Sequence, residues 1–110
     1  MITQDAAARI AQTVAERAMQ QPVSIRPELT IVRDFGWVFF YDSVEYVSTQ
    51  NEAARLYGNA PVIVNRSNGR ASLTGTQYPI EDYLAAYEAL GPERFEKDDW
   101  REFLRHKDNL

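Results

Sequence analysis

The carboxylates are the residues of this 110-residue chain whose type and spacing most suggest chemistry. Glu81 and Asp82 are adjacent, and four more acids follow within residues 93–99. Paired carboxylates can act as general acid and base when their surroundings push their pKa values apart. Both groups fall at predicted helix starts among arginines and lysines, where acids commonly cap helices and solvate the surface. We therefore favour a structural role for them over catalysis or metal binding.

Other reactive side chains are scarce. His106 is the only histidine, and its place near a charged helix end is more typical of a solvated residue than of a general base. The chain has no cysteine, which excludes a thiol nucleophile, a thiolate zinc site and a disulfide framework. We expect no catalytic, cofactor-binding or metal-binding residues. An acid–base enzyme using Glu81, Asp82 or His106 is the weakest of the hypotheses that we consider.

The net charge of −4 lies entirely in the last thirty residues, which carry nine acids and five bases. Nucleic-acid binders are expected to cluster lysine and arginine, whereas this chain has only two lysines, Lys97 and Lys107. Complementary charge speeds the encounter of two proteins and filters partners. We therefore expect a protein partner that is basic at its contact surface, and no nucleic acid.

The chain shows no targeting or membrane signal. Residues 1–5 lack the basic segment and apolar run of a secretion signal, and no run approaches the roughly 18 apolar residues of a membrane span. We expect a cytoplasmic protein that does not contact a membrane.

The hydrophobic pattern predicts a mixture of helices and strands. Thr3 is placed to cap a helix that ends near Met19, and Pro79 to begin a second helix that ends before Gly91. Asn68-Gly69 is a strong hairpin signal. A last helix is expected near Asp98 or Asp99, where Asp99 and Glu102 have capping-box spacing. Strands are predicted at residues 23–25, 37–41, 43–49, 61–64 and 71–74, with one or two helical turns in residues 51–57.

Residues 37–41 are apolar at every position, which is typical of a strand covered on both faces. Val38 and Phe40 are expected in the core. Trp37, Phe39 and Tyr41 point the other way, and burial under a helix is favoured over presentation to a partner.

These elements predict the α+β class, in a single domain over residues 1–110. We expect an antiparallel sheet of three to five strands with the N-terminal helix packed on it and one or two C-terminal helices. Residues 91–110 would form a helical, acidic extension that either covers apolar surface or projects as a charged arm. The strand order, and the choice between monomer and homodimer, stay open.

Three separated motifs resemble those of the YrhB-like family, also called the immunity protein 35 family. They are GWVFFYDS at residues 36–43 followed by Tyr46, LYGNAP at residues 56–61 running into an apolar strand, and LTGT with YPIEDYL at residues 73–84. The resemblance covers residues 1–88. Ala60 stands where the family often has a second glycine, and residues 91–110 have no counterpart.

The resemblance implies a small α+β protein, encoded beside a bacterial polymorphic toxin, that binds and neutralises this toxin. Some family members are regarded as stress-related chaperones, so the alternative is a small holdase with an exposed apolar patch formed by Trp37, Phe39, Tyr46 and Tyr57. Surface positions near the motifs, together with two acids of the extension, are the predicted partner contacts. They are Asp42, Glu45, Tyr46, Tyr57, Asn59, Asp98 and Asp99.

Overall fold

The computed structural model describes residues 1–106, so the last four residues of the predicted extension lie outside it. The helices are α1 Gln4–Met19, α2 Val44–Thr49, α3 Ile80–Leu90, α4 Pro92–Glu96 and α5 Trp100–Arg105. The strands are β1 Val23–Ile25, β2 Ile31–Arg33, β3 Gly36–Phe39, β4 Tyr41–Ser43, β5 Val62–Asn65 and β6 Ala71–Leu73. Two short 3-10 helices, Pro27–Leu29 and Glu52–Ala54, complete the order.

All described strand pairs are antiparallel, which confirms the α+β class. β2, β3, β5 and β6 form a four-stranded sheet in that order, and β1 pairs with β4 in a separate two-stranded sheet. The predicted hairpin at Asn68-Gly69 joins β5 to β6, and Gly69 has the positive φ of 73° that this turn needs. The predicted strand at residues 37–41 is divided between β3 and β4, which belong to different sheets.

One face of the four-stranded sheet packs against α1. Ala7, Ala11 and Ala15 of this helix are fully buried, and their small side chains let the helix lie close to the sheet. Trp37 and Phe39 fill the space beneath the helix, together with apolar side chains of β5. The expectation that these aromatic residues are core is therefore confirmed.

The opposite face packs against α3, α4 and α5. Val38 and Ile63 point to this side, where they meet Tyr83 of α3 and Phe95 of α4. Trp100 of α5 is 3% exposed in the same cluster. The part of the extension that the structure describes therefore covers apolar surface and does not project as an arm.

Two local predictions are wrong. The strand predicted at residues 43–49 ends at Ser43, because the Ser43 hydroxyl accepts a hydrogen bond from the Tyr46 backbone N–H at 3.0 Å and caps α2. The last helix begins directly after Asp99, as expected, but the Asp99 side chain makes no capping bond and pairs with Arg94 at 3.0 Å instead. In addition, Pro92 follows the end of α3 and begins α4, a helix that the pattern did not indicate.

Within residues 1–106, no helix combines the length and the apolar character that crossing a membrane requires.

Candidate functional site

The buried carboxylate of Asp42 organises the loops on one side of the molecule. Its side chain is 2% exposed, and its Oδ1 accepts hydrogen bonds from the backbone N–H groups of Ser43 and Leu56, both at 2.8 Å. Arg55 Nε lies 3.5 Å from the other carboxylate oxygen. Because buried charge is tolerated only when it is paired and hydrogen-bonded, this arrangement ties the end of β4 to the loop that carries Leu56.

Three further hydrogen bonds fasten residues 54–60 to β4. The Tyr41 hydroxyl donates to the Ala60 carbonyl at 2.8 Å, and the Asn59 side-chain amide donates to the Tyr41 carbonyl at 2.9 Å. The Ser43 hydroxyl donates to the Ala54 carbonyl at 2.6 Å. Burial raises the pKa of Tyr41 to about 12, so this hydroxyl stays a protonated donor at neutral pH.

We call the exposed side chains of α2 and of residues 51–59 the motif-loop surface. The hydrogen bonds described above hold these side chains outward. α2 has no buried residue; Val44 is 47% exposed and Val47 is 36% exposed. Tyr57 is 88% exposed on a loop whose backbone is fastened on both sides, at the Leu56 N–H and at the Ala60 carbonyl. Large, positioned apolar side chains in water are typical of a surface that meets another molecule.

The ring of Tyr46, in α2, contacts two arginine side chains. The guanidinium carbon of Arg55 lies 4.9 Å from the centre of its ring, and that of Arg26 lies 5.8 Å away. Both distances are those of cation–π contacts. Arg55 also pairs with Asp42, and the Glu52 carboxylate lies 3.9 Å from the Arg55 guanidinium. The surface therefore combines apolar, aromatic and mixed charged groups.

Five of the seven predicted contacts come together here. Tyr57 and Glu45 are exposed, with Glu45 accepting a hydrogen bond from Asn51 at 3.3 Å. Tyr46 and Asn59 are half-buried. Asp42 lies beneath the surface, where it can position the loops but does not meet solvent.

The sequence interpretation missed four members of the motif-loop surface and its support: Val44, Val47, Arg26 and Arg55. A capping serine followed by two valines at i, i+3 spacing is a helix signal that would have identified the first two. No local signal identifies the two arginines, since they meet Tyr46 only through the tertiary fold.

Asp98 and Asp99 lie apart from this surface, between α4 and α5. Asp99 pairs with Arg94 at 3.0 Å, and Asp98 lies 3.9 Å from Arg101. The other described acids of the extension also have partners: Glu93 and Glu96 with Arg70, and Glu102 with Arg105 and His106. A partner protein would therefore meet an acidic extension whose charge is already balanced in large part.

The structure also bears on the residues proposed for the chaperone and enzyme alternatives. Trp37 and Phe39 are 3% and 1% exposed, so the expectation that they contribute to an exposed apolar patch is wrong. Glu81 forms an exposed ion pair with Arg33 at 3.1 Å, and His106 contacts Glu102 at 2.9 Å on the surface. Across residues 1–106, no group of three or more acids and histidines is arranged to hold a metal ion.

Comparison with known proteins gives one family and one curated relative. The family model described as immunity protein 35 matches residues 4–89. "Uncharacterized protein YrhB" of Escherichia coli (strain K12) is 45% identical over 53 residues, which are 48% of this chain and 56% of that protein. The match thus spans about half the length of that relative. No solved structure matches the chain.

Proposed function

Because this chain belongs to the immunity protein 35 family, we propose that it is an immunity protein that binds and neutralises a cognate bacterial toxin. The family match over residues 4–89, which includes the whole motif-loop surface, is the observation that carries the proposal. We propose that it acts by stoichiometric binding and not by catalysis, in the cytoplasm of the cell that makes both proteins.

We propose the motif-loop surface as the contact with the toxin. Protein interfaces are rich in tyrosine, methionine and arginine at their centre, and a few such residues supply most of the binding energy. Tyr57 and Tyr46, with Arg55 beside the second ring, provide these residue types on a loop and a helix that are already ordered. Because the loop is fastened before binding, little conformational entropy would be lost when the toxin docks.

Glu45 and Asn59 would supply polar contacts at the edge of the same surface, and Asp42 would act by holding its loops in place. Asp98 and Asp99 already have arginine partners, so we assign them to the periphery of the contact. The basic groups expected on the toxin surface would then face Glu45 and Glu52 more than they face the extension.

Co-expression with the toxin encoded beside this chain tests the proposal. We expect growth to be restored and the two proteins to co-purify at a fixed ratio. Equal killing with and without this chain, together with no complex, would show that the proposal is wrong.

Tyr57→Ala tests the surface itself. Truncation of a central interface tyrosine typically costs about 2 kcal/mol or more, so we expect the toxin affinity to fall roughly thirtyfold. Since Tyr57 is 88% exposed, the free energy of unfolding should not change. Leu73→Ala is the matched control, because Leu73 is 37% exposed on β6, at the edge of the other sheet. Equal affinities of the two variants would move the contact elsewhere.

A further inference from the structure

A cleft of about 560 Å³ opens between the β2–β3 turn and the junction of α3 with α4. Its lining residues include Val32, Asp34, Phe35, Tyr87 and Glu88, and it shares no residue with the motif-loop surface. The volume is within the range of about 300–1,000 Å³ that is usual for clefts that bind small molecules or side chains. The cleft is therefore large enough to take a side chain of another molecule.

Two aromatic rings form one wall of the cleft. The ring centres of Phe35 and Tyr87 lie 4.7 Å apart at an angle of 46°. Tyr87 is 2% exposed, and its hydroxyl accepts a hydrogen bond from the Asn65 side chain at 3.1 Å. Burial raises the pKa of Tyr87, so it is a neutral phenol at physiological pH. Among the residues that the structure describes, this hydroxyl has no acceptor for its own proton.

The rim of the cleft carries negative charge that no neighbour balances. Asp34 and Glu88 are exposed, and neither forms an ion pair with any residue of the described part of the chain. Arg33 also lines the cleft, but its guanidinium pairs with Glu81 at 3.1 Å. Asp34 and Glu88 are thus the carboxylates of the lining that have no ion pair among the described residues, in contrast to the paired acids of the extension.

Beside the cleft, β2 is an outer strand of the four-stranded sheet. β3 pairs with one side of β2, and no other described strand pairs with the second side, where the Val32 carbonyl accepts a hydrogen bond from the Arg33 guanidinium at 3.3 Å. Val32 is 54% exposed on this strand. An unpaired strand edge can bind an extended segment of another protein through backbone hydrogen bonds.

We infer that this cleft receives a lysine or arginine side chain from an extended segment of the partner protein that pairs alongside β2. The carboxylates of Asp34 and Glu88 attract the cation, and the half-buried ring of Phe35 contacts its aliphatic stem. The inference takes from the proposed function only that the partner is a protein.

The experiment uses a short capped peptide of alternating threonine and arginine, and the same peptide with neutral citrulline in place of arginine. Amide chemical shifts of the intact protein are followed by NMR during titration with each peptide. We expect the arginine peptide to shift residues 31–35 and 87–92, and the citrulline peptide to bind about tenfold more weakly, since two ion pairs are lost.

The double variant Asp34→Asn/Glu88→Gln should lower the affinity for the arginine peptide by about tenfold. Asp5→Asn/Glu28→Gln changes the net charge equally at exposed sites outside the cleft and should bind like the unchanged protein. Absence of binding, equal affinity of the two peptides, or shifts confined to other residues would overturn the inference.

The toxin assay separates this inference from the proposed function. If the unchanged protein fails to neutralise the toxin, the proposed function is wrong and the peptide titration still decides the role of the cleft. If the unchanged protein neutralises the toxin while the arginine peptide does not bind, only the inference about the cleft is wrong.

Discussion

The motif-loop surface and the acidic extension place their polar and apolar groups in opposite ways. In the extension, the aromatic side chains of Phe95 and Trp100 face inward and the carboxylates pair with arginines on the outside. In the motif loops, the carboxylate of Asp42 is buried and Tyr57 is exposed. An acidic stretch in a sequence can therefore be paired internally, whereas a buried acid can hold in place the loops that expose an aromatic ring.

The energies of the two arrangements also differ. Exposed ion pairs contribute about 0–1 kcal/mol each, because water screens them and long side chains lose entropy. Burial of a large aromatic side chain is worth several times more. The extension should thus stabilise the fold through its aromatic residues, while its charges keep it soluble.

The largest effect is expected from Trp100→Ala in the extension. Trp100 is 3% exposed, and its ring meets that of Tyr83 with centres 5.0 Å apart. Removal of a buried tryptophan leaves a cavity and costs about 3–5 kcal/mol. Urea unfolding followed by circular dichroism measures the loss. Lys97→Ala, at an exposed position of the same extension, is the control and should stay within about 0.5 kcal/mol.

A loss for Trp100→Ala no greater than that of the Lys97 variant would mean that the extension is not part of the folding unit. The contrast between the two regions would then disappear, because neither would contribute to the core.

Asp42→Ala should have the next largest effect. The change leaves the backbone N–H groups of Ser43 and Leu56 without their acceptor, and it leaves Arg55 without its buried partner. We expect a loss of about 2–3 kcal/mol in the free energy of unfolding. Hydrogen exchange should show faster exchange of the Leu56 amide, as the loop is released.

Asp99→Ala is the matched aspartate from the extension, with an exposed ion pair to Arg94 at 3.0 Å and an ordinary helical φ of −61°. It should change the free energy of unfolding by less than about 1 kcal/mol. Similar losses for both variants would show that the buried carboxylate has no special role in the motif loops.

Much of the sheet and its cover could be predicted because local patterns and tertiary packing agree there. Residues 37–41 are apolar at each position, and the structure covers both of their sides. The stripe of α1 and the turn at Asn68-Gly69 follow from spacing and from a positive φ.

Residues 43–49 show where such patterns fail. Valine and tyrosine favour strands, but a single serine hydroxyl bonded to the Tyr46 N–H starts a helix instead. The motif-loop contacts were out of reach for a different reason. Arg26 and Arg55 come to Tyr46 from different parts of the chain, and only the tertiary fold brings the three side chains together.

Tyr41→Phe gives a smaller effect with a characteristic pH dependence. Loss of the hydrogen bond to Ala60 should cost about 1 kcal/mol at pH 7. The folded pKa of Tyr41 is raised from 10.0 to about 12, so the unfolded chain loses this proton first as the pH rises. The contribution of Tyr41 is thus fully present below pH 10 and is lost progressively towards pH 12.

Unfolding by urea at several values between about pH 8 and about pH 11 measures this dependence. Above pH 10, the free energy of unfolding of the Phe variant should decline less steeply than that of the unchanged protein. Tyr87 contributes to the decline in the same direction in both proteins. Parallel declines would show that the Tyr41 hydroxyl does not hold the loop.

The smallest effect is expected from the double variant Asp98→Asn/Asp99→Asn. The backbone conformation at position 98 should be kept, because asparagine tolerates the φ of 65° that Asp98 adopts. Two exposed ion pairs would be lost, so the free energy of unfolding should fall by less than about 1 kcal/mol. Because both acids already have arginine partners, we expect the affinity for the toxin to change by less than about threefold, as measured by calorimetry. A loss of about tenfold or more with unchanged stability would make the extension the docking surface and reverse the comparison, since internal pairing would then not prevent these acids from serving a partner.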